Sequence, residues 1–127
     1  MIKRSLITFC FFSWAISQEI YYLNQIQNIK DIYYSILDSS VVNGKIYLNN
    51  NNKTYLGDII DGKKNGKWIE LYSNGNKKNQ FVYKNGLLNG PYTLWYKNNI
   101  KGEYGFYKNN KKDRLLIKWD QKGKKYS

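Results

Sequence analysis

From Ile32 onward, apolar and polar positions alternate over short runs, and clusters rich in Asn and Gly separate the runs. Alternation with a period of two predicts half-buried strands. The runs are Leu56–Ile60, Lys67–Tyr72, Gln80–Lys84, Pro91–Tyr96, Tyr104–Lys108 and Leu115–Trp119. Between them stand Asn-Gly pairs beginning at Asn43, Asn65, Asn74, Asn85 and Asn89, together with Asp61-Gly62. Asn and Gly accept the positive φ of tight hairpin connections, so Gly62, Gly66, Gly75, Gly86 and Gly90 are assigned to turns. Upstream, in residues 18–31, Ile20, Leu23, Ile26 and Ile29 recur at spacings of three, which predicts a short lead-in helix or a linker, with an extended lead-in as the alternative because the Tyr and Ile content also favours strand.

A longer rhythm overlies the alternation. Asp61-Gly62-Lys63-Lys64-Asn65-Gly66-Lys67-Trp68 returns 24 residues later as Asn85-Gly86-Leu87-Leu88-Asn89-Gly90-Pro91-Tyr92, and again as Asn109-Asn110-Lys111-Lys112-Asp113-Arg114-Leu115-Leu116. Leu71, Trp95 and Trp119 keep the same interval, as do Gly75, Asn99 and Gly123. Self-similarity at a fixed period of this size marks a repeat architecture. The expected fold is all-β, a single antiparallel β-hairpin meander of 24-residue units at 55–78, 79–102 and 103–127. A degenerate unit at 32–54 precedes them, because Asn43-Gly44 does not fall under Asn65-Gly66. The Asn run at 49–52 reads as the turn into the next strand.

Strand alternation sorts the side chains onto two faces. One carries Trp68, Glu70 and Tyr72, then Tyr92, Leu94 and Tyr96; the other carries Ile69 and Leu71, then Thr93 and Trp95, then Ile117 and Trp119. Both are rich in large apolar groups, whereas a single-layer sheet solvates one face. Residues 18–31, sheet curvature, a second subunit or a ligand are the available covers. Leu71, Trp95 and Trp119 admit two readings, core packing or a partner-facing ladder.

The amino terminus changes the setting. Lys3 and Arg4 precede the apolar run Leu6–Ile16, and Ala15-Ile16-Ser17 supplies small residues at peptidase spacing. This is the pattern of a secretory signal peptide, residues 1–17, and the run is far shorter than the roughly 20 residues that span a bilayer. The chain is thus expected to be exported to the periplasm, the cell envelope or the extracellular space. Its lone cysteine, Cys10, lies inside that segment, so the remainder would hold together without disulfides.

Chemistry narrows the function further. With no histidine, and no cysteine after residue 17, the usual general base, thiol nucleophile and zinc ligands are missing. Asp58, Asp61, Glu70 and Glu103 could form a carboxylate pair, but solvated or cross-strand paired acids explain them more simply. The expectation is no enzyme, no metal and no cofactor. A formal net charge of +12 matters more. Lys63, Lys64, Lys77, Lys78, Lys111 and Lys112 fall at predicted turns, where they either protect sheet edges or grip an anionic membrane surface or glycan. Nucleic acid is excluded as a partner, since the chain reads as exported and Arg114 is the only arginine after the leader. Residues 122–127 are expected to be disordered, and Asn52-Lys53-Thr54 forms a glycosylation sequon.

The stretches Asp58–Gly75 and Val82–Tyr96 resemble the MORN repeat, in the bacterial variant that carries an antitoxin-like label. The resemblance covers residues 54–127, with Asn110 and Arg114 standing where the third unit should have glycines, as in a terminal capping unit. It implies an antiparallel hairpin meander without catalytic residues and a role in protein or membrane contact. The expected function is an exported interaction module that holds a protein partner through the aromatic ladder. The alternative is a peripheral binder of anionic lipid or glycan through lysine-rich turns, and a homodimer that hides the second face is a third possibility.

Overall fold

The computed structural model describes residues 19–126; the expected signal peptide lies outside them. Strand β1 (Glu19–Tyr22) passes through a 3-10 turn at Leu23–Gln25 into a hairpin of β2 (Ile26–Ile29) and β3 (Ile32–Ser35). There follow β4 (Gly44–Leu48), β5 (Thr54–Ile60), β6 (Lys63–Leu71), β7 (Lys77–Lys84), β8 (Leu87–Leu88), β9 (Gly90–Trp95), β10 (Lys101–Lys108) and β11 (Lys111–Lys118). Nine of these strands form one sheet in the order β1-β4-β5-β6-β7-β9-β10-β11, with β8 also on β7. From β4 to β11 every pairing is antiparallel.

The amino-terminal segment departs from expectation. No α-helix forms over residues 19–31: among them only Ile26 is buried, while Ile20, Leu23 and Ile29 are exposed. The spacing of three came from a strand, a turn and a strand in succession, and the Tyr and Ile content favoured the extended form. β1 also joins the sheet parallel to β4, so the meander acquires a parallel edge strand. The tail is ordered through Tyr126. Trp119 bridges Lys125, and Tyr126 N donates to Lys118 O at 3.0 Å.

Asp61-Gly62, Asn85-Gly86 and Asn109-Asn110 each place both residues at positive φ, the signature of a tight I′ hairpin turn. Gly75 lies in the opposite set of turns. Gly66 and Gly90 do not make turns. Gly66 lies inside β6 at φ +74, where pairing passes from β5 (Asn65 with Asp58) to β7 (Gly66 with Tyr83). Gly90 begins β9 at φ +136, just after β8 has ended. Gly66 lets one long strand leave β5 for β7, whereas Gly90 brings the chain from β8 onto β10 while β9 stays paired with β7, and at both positive φ values a Cβ would be opposed. Asn43-Gly44 occupies the same place: Gly44 opens β4 opposite Ile59, as Gly66 stands opposite Tyr83 and Gly90 opposite Tyr107. The two-residue slip seen in the sequence is taken up by a shorter arm at the loop that follows.

The main core gathers at the amino-terminal half of the sheet. Ile26, Val42, Ile46, Leu56, Ile59 and Trp68 are buried together, with Tyr21, Tyr33, Leu48 and Tyr83 packed around them. The β2–β3 hairpin thus supplies part of the cover, and Tyr33 N donating to Gly62 O at 2.8 Å fastens it to the sheet. The Trp68 indole lies over Gly57, where an added Cβ would come within 2.5 Å of the ring, and its Nε1 donates to Asp58 O at 2.8 Å. Further along, Phe81, Tyr92 and Tyr107 pack ring against ring, with centroids 4.8 to 6.2 Å apart.

Candidate functional site

The ends of the strands opposite the I′ turns carry the most regular surface. In the ladder Leu71 stands across from Lys77, Trp95 from Lys101 and Trp119 from Lys125. Each apolar residue is half-buried and each lysine exposed. The register around them repeats as well. Gly66 to Glu70 pair with Tyr83 to Asn79, and a one-residue shift then brings Leu71 opposite Lys77. Gly90, Pro91, Tyr92, Thr93 and Leu94 pair in the same way with Tyr107, Phe106, Gly105, Tyr104 and Glu103, and after the shift Trp95 meets Lys101.

Hydrogen bonds lace neighbouring hairpins along this row. Tyr72 Oη donates to Trp95 O at 2.7 Å, and Tyr96 Oη donates to Trp119 O at 2.9 Å. At the turn tips Asn74 Nδ2 and Asn76 Nδ2 reach Lys97 O at 3.2 and 2.9 Å, and Asn98 Nδ2 reaches Gln121 O at 2.9 Å. Main-chain carbonyls that would otherwise face water are therefore held by side chains of the preceding hairpin, which fixes the spacing of the row. The Lys77 ammonium stands over the Trp95 ring, 5.7 Å from its centroid, as Lys53 stands 5.3 Å from that of Tyr47. A cavity of about 300 Å³ opens beside Trp95, lined by Tyr72, Leu94, Tyr96 and Tyr126 among others.

The lysines expected to form anionic contacts have diverse surroundings. Lys64 is caged: its ammonium lies 4.5 Å from the Trp68 ring, 5.2 Å from Tyr83 and 5.9 Å from Tyr33. Lys78 stands over Tyr72 at 6.0 Å. Lys112 donates to Glu103 Oε1 at 2.8 Å and lies 5.4 Å from the Tyr92 ring. Tyr92 Oη donates to the same oxygen at 2.5 Å. Burial, reinforced by this carboxylate, pushes the Tyr92 phenol up to about 12. Burial alone would raise Glu103, but the Lys112 and Tyr92 donors outweigh it and hold the carboxyl below its ordinary value. The Glu103 hydrogen bond in turn raises Lys112 to about 12. Lys63 stands opposite Ile60 and Lys111 opposite Lys108 beside the I′ turns.

Lys64, Lys77, Lys78 and Lys112 thus lean on rings or a carboxylate, whereas Lys101, absent from the expected contacts, and Lys125 of the tail are exposed opposite the tryptophans. The sequence holds a signal for them that the turn-based reading passes over. Lys53, Lys77, Lys101 and Lys125 are spaced by 24, in step with Tyr47, Leu71, Trp95 and Trp119.

Among the described residues, no cluster of three His, Cys, Asp or Glu side chains is placed to hold a metal ion. Nor is any helix among them long and apolar enough to cross a membrane. Family models, curated proteins and solved structures give no match to this chain.

Proposed function

We propose that the chain is an exported, non-enzymatic repeat protein of MORN-like type, whose 24-residue hairpins present Leu71, Trp95 and Trp119 to a binding partner. The observation that carries this reading is the shared register of β6–β7 and β9–β10, together with the paired Tyr72–Trp95 and Tyr96–Trp119 hydrogen bonds. A surface whose spacing is fixed before binding loses little conformational freedom when a partner arrives. Aromatic residues held in that way serve as interaction anchors.

The expected partner was a protein held by an apolar ladder. The lysines opposite each ladder position favour an acidic partner instead, whatever its class, and they shift the anionic reading from Lys63, Lys64, Lys111 and Lys112 beside the I′ turns to the row, to which Lys77 of the expected contacts already belongs. The test is retention of the intact protein on a resin bearing an acidic extract of the source envelope, with Trp95→Ser and Lys111→Ser compared. Loss of retention in the first variant alone, with unchanged circular dichroism, supports the row. Equal retention of all three proteins removes it.

A further inference from the structure

We infer that the ligand of the row is an extended acidic polysaccharide, with its uronate carboxylates on Lys77, Lys101 and Lys125 and its sugar rings against Trp95 and Trp119. This rests on the reading of the row as the binding surface and goes on to name what lies there.

Three features favour such a polymer. The first is spacing. Corresponding strands of successive hairpins are two ladder steps apart, about 9.6 Å at the usual strand separation. That is close to the length of a disaccharide, so a chain acidic on every second sugar would offer one carboxylate per hairpin. The second is composition: each apolar position has a lysine directly opposite. The central part of a protein–protein interface is depleted in lysine, so the alternation does not suit a protein partner. It does suit a sugar polymer, which offers an apolar ring face and a charge in turn. The third is shape. The row is one residue deep and runs across three hairpins, so it matches a linear ligand better than a lipid surface. Single-stranded nucleic acid shares some of these features. Arginine, which recognises phosphate with its planar fork, appears in the described residues only as Arg114, set against Asp113 at 3.5 Å.

The experiment is a tryptophan-fluorescence titration of the full chain with hyaluronate, a polymer with one carboxylate on every second sugar. Parallel titrations use neutral dextran, polyphosphate, poly-glutamate and a single-stranded oligonucleotide. Hyaluronate should saturate the signal, and Trp95→Phe should remove most of the change. Lys101→Ala and Lys125→Ala should each weaken binding roughly three- to tenfold, as expected for losing one charge contact of about 1 kcal/mol. Lys111→Ala, of equal charge but at the opposite strand ends, should change it less than twofold. Circular dichroism of each variant confirms the fold.

If poly-glutamate, polyphosphate or the oligonucleotide binds as tightly as hyaluronate and still depends on Trp95, the row stands and the polysaccharide falls. If Lys111→Ala weakens binding as much as Lys101→Ala, general charge attraction explains the signal and the inference is wrong. If no polymer changes the fluorescence, the row is not a polyanion site and both readings fail together.

Discussion

Tyr96 Oη donates to the main-chain carbonyl of Trp119 at 2.9 Å, just as Tyr72 Oη, 24 residues earlier, donates to that of Trp95 at 2.7 Å. A tyrosine on the core-facing register of one hairpin thereby sets the position of an aromatic residue at the tip of the next. The bond does the work that a flexible loop would otherwise leave undone, because it ties adjacent hairpins together beyond the last ladder pair.

Tyr72→Phe tests that bond without creating a cavity. Removing the hydroxyl leaves Trp95 O with water as its partner, and a loss of about 1 kcal/mol is expected. The Trp95 environment should loosen more than the overall fold does. Urea unfolding followed by far-ultraviolet circular dichroism and by tryptophan emission checks both statements. No change in either signal would mean that the ladder alone fixes the tip.

Two glycines separate a packing requirement from a conformational one. At Gly57 a Cβ would meet the Trp68 ring at 2.5 Å, while at Gly66, with φ +74, nothing lies within 4 Å. Gly57→Ala should displace the indole, at a cost of about 1–3 kcal/mol or more. Gly66→Ala should cost about 1–2 kcal/mol from left-handed strain alone and leave the Trp68 emission unshifted. Because Asn tolerates that conformation, Gly66→Asn should recover part of the loss. Equal destabilisation by Ala and Asn at position 66 would show that φ is not the cause.

Much of the strand order was legible because alternation and turn chemistry agree with each other. Asp61-Gly62 and Asn85-Gly86 reverse the chain, and Trp68 and Tyr92 are buried, as their shared face requires. Asn65-Gly66 and Asn89-Gly90 misled for a physical reason: positive φ serves a strand kink as well as a turn, and the dipeptide does not tell which. Residues 18–31 misled because a strand, a turn and a strand can mimic helical spacing when only Ile26 faces inward. In the candidate row, Leu71, Trp95 and Trp119 were visible as a period. Lys101 escapes a reading that weighs lysines by their place in turns, and Lys125 figures in it only as part of a basic tail, because neither cross-strand partner is visible locally. The pairing of Glu103 with both Tyr92 and Lys112 needed the register, which no local pattern specifies.

The cage around Lys64 yields a third prediction. Its ammonium is near Trp68, Tyr83 and Tyr33, so it links β6 and β7 of the sheet to the covering β2–β3 hairpin. Lys64→Met keeps most of the stem and removes the charge, and should destabilise the protein by about 1–2 kcal/mol if the ring contacts matter. Lys64→Arg should retain most of the stability, because a guanidinium also stacks on rings. Chemical denaturation of the two variants distinguishes them. A Met variant as stable as the parent would reduce the cage to packing by the aliphatic stem.

The response to pH follows from Tyr92, Glu103 and Lys112 together. Glu103 is held below its ordinary value in the folded protein. Its contribution is therefore present above the unfolded carboxylate value, about 4.3, and is lost as the pH falls through the folded value. Tyr92 and Lys112 shift the other way, each to about 12. What they contribute is intact below their unfolded values of about 10 and is lost as the pH rises towards 12. Burial likewise raises Tyr55 and Tyr83 to about 12, and the Glu19 hydrogen bond raises Tyr21 to the same value. A set of phenols should thus resist ionisation until the fold opens. Near-ultraviolet phenolate absorbance should rise in two steps for the folded protein and in one step, near 10, in denaturant. Glu103→Gln keeps an acceptor oxygen but removes the titratable negative charge, so it should flatten the acid limb of the melting temperature and bring the Tyr92 titration to lower pH. A variant with both limbs unchanged would show that the ladder, and not the shared carboxylate, holds β9, β10 and β11 together.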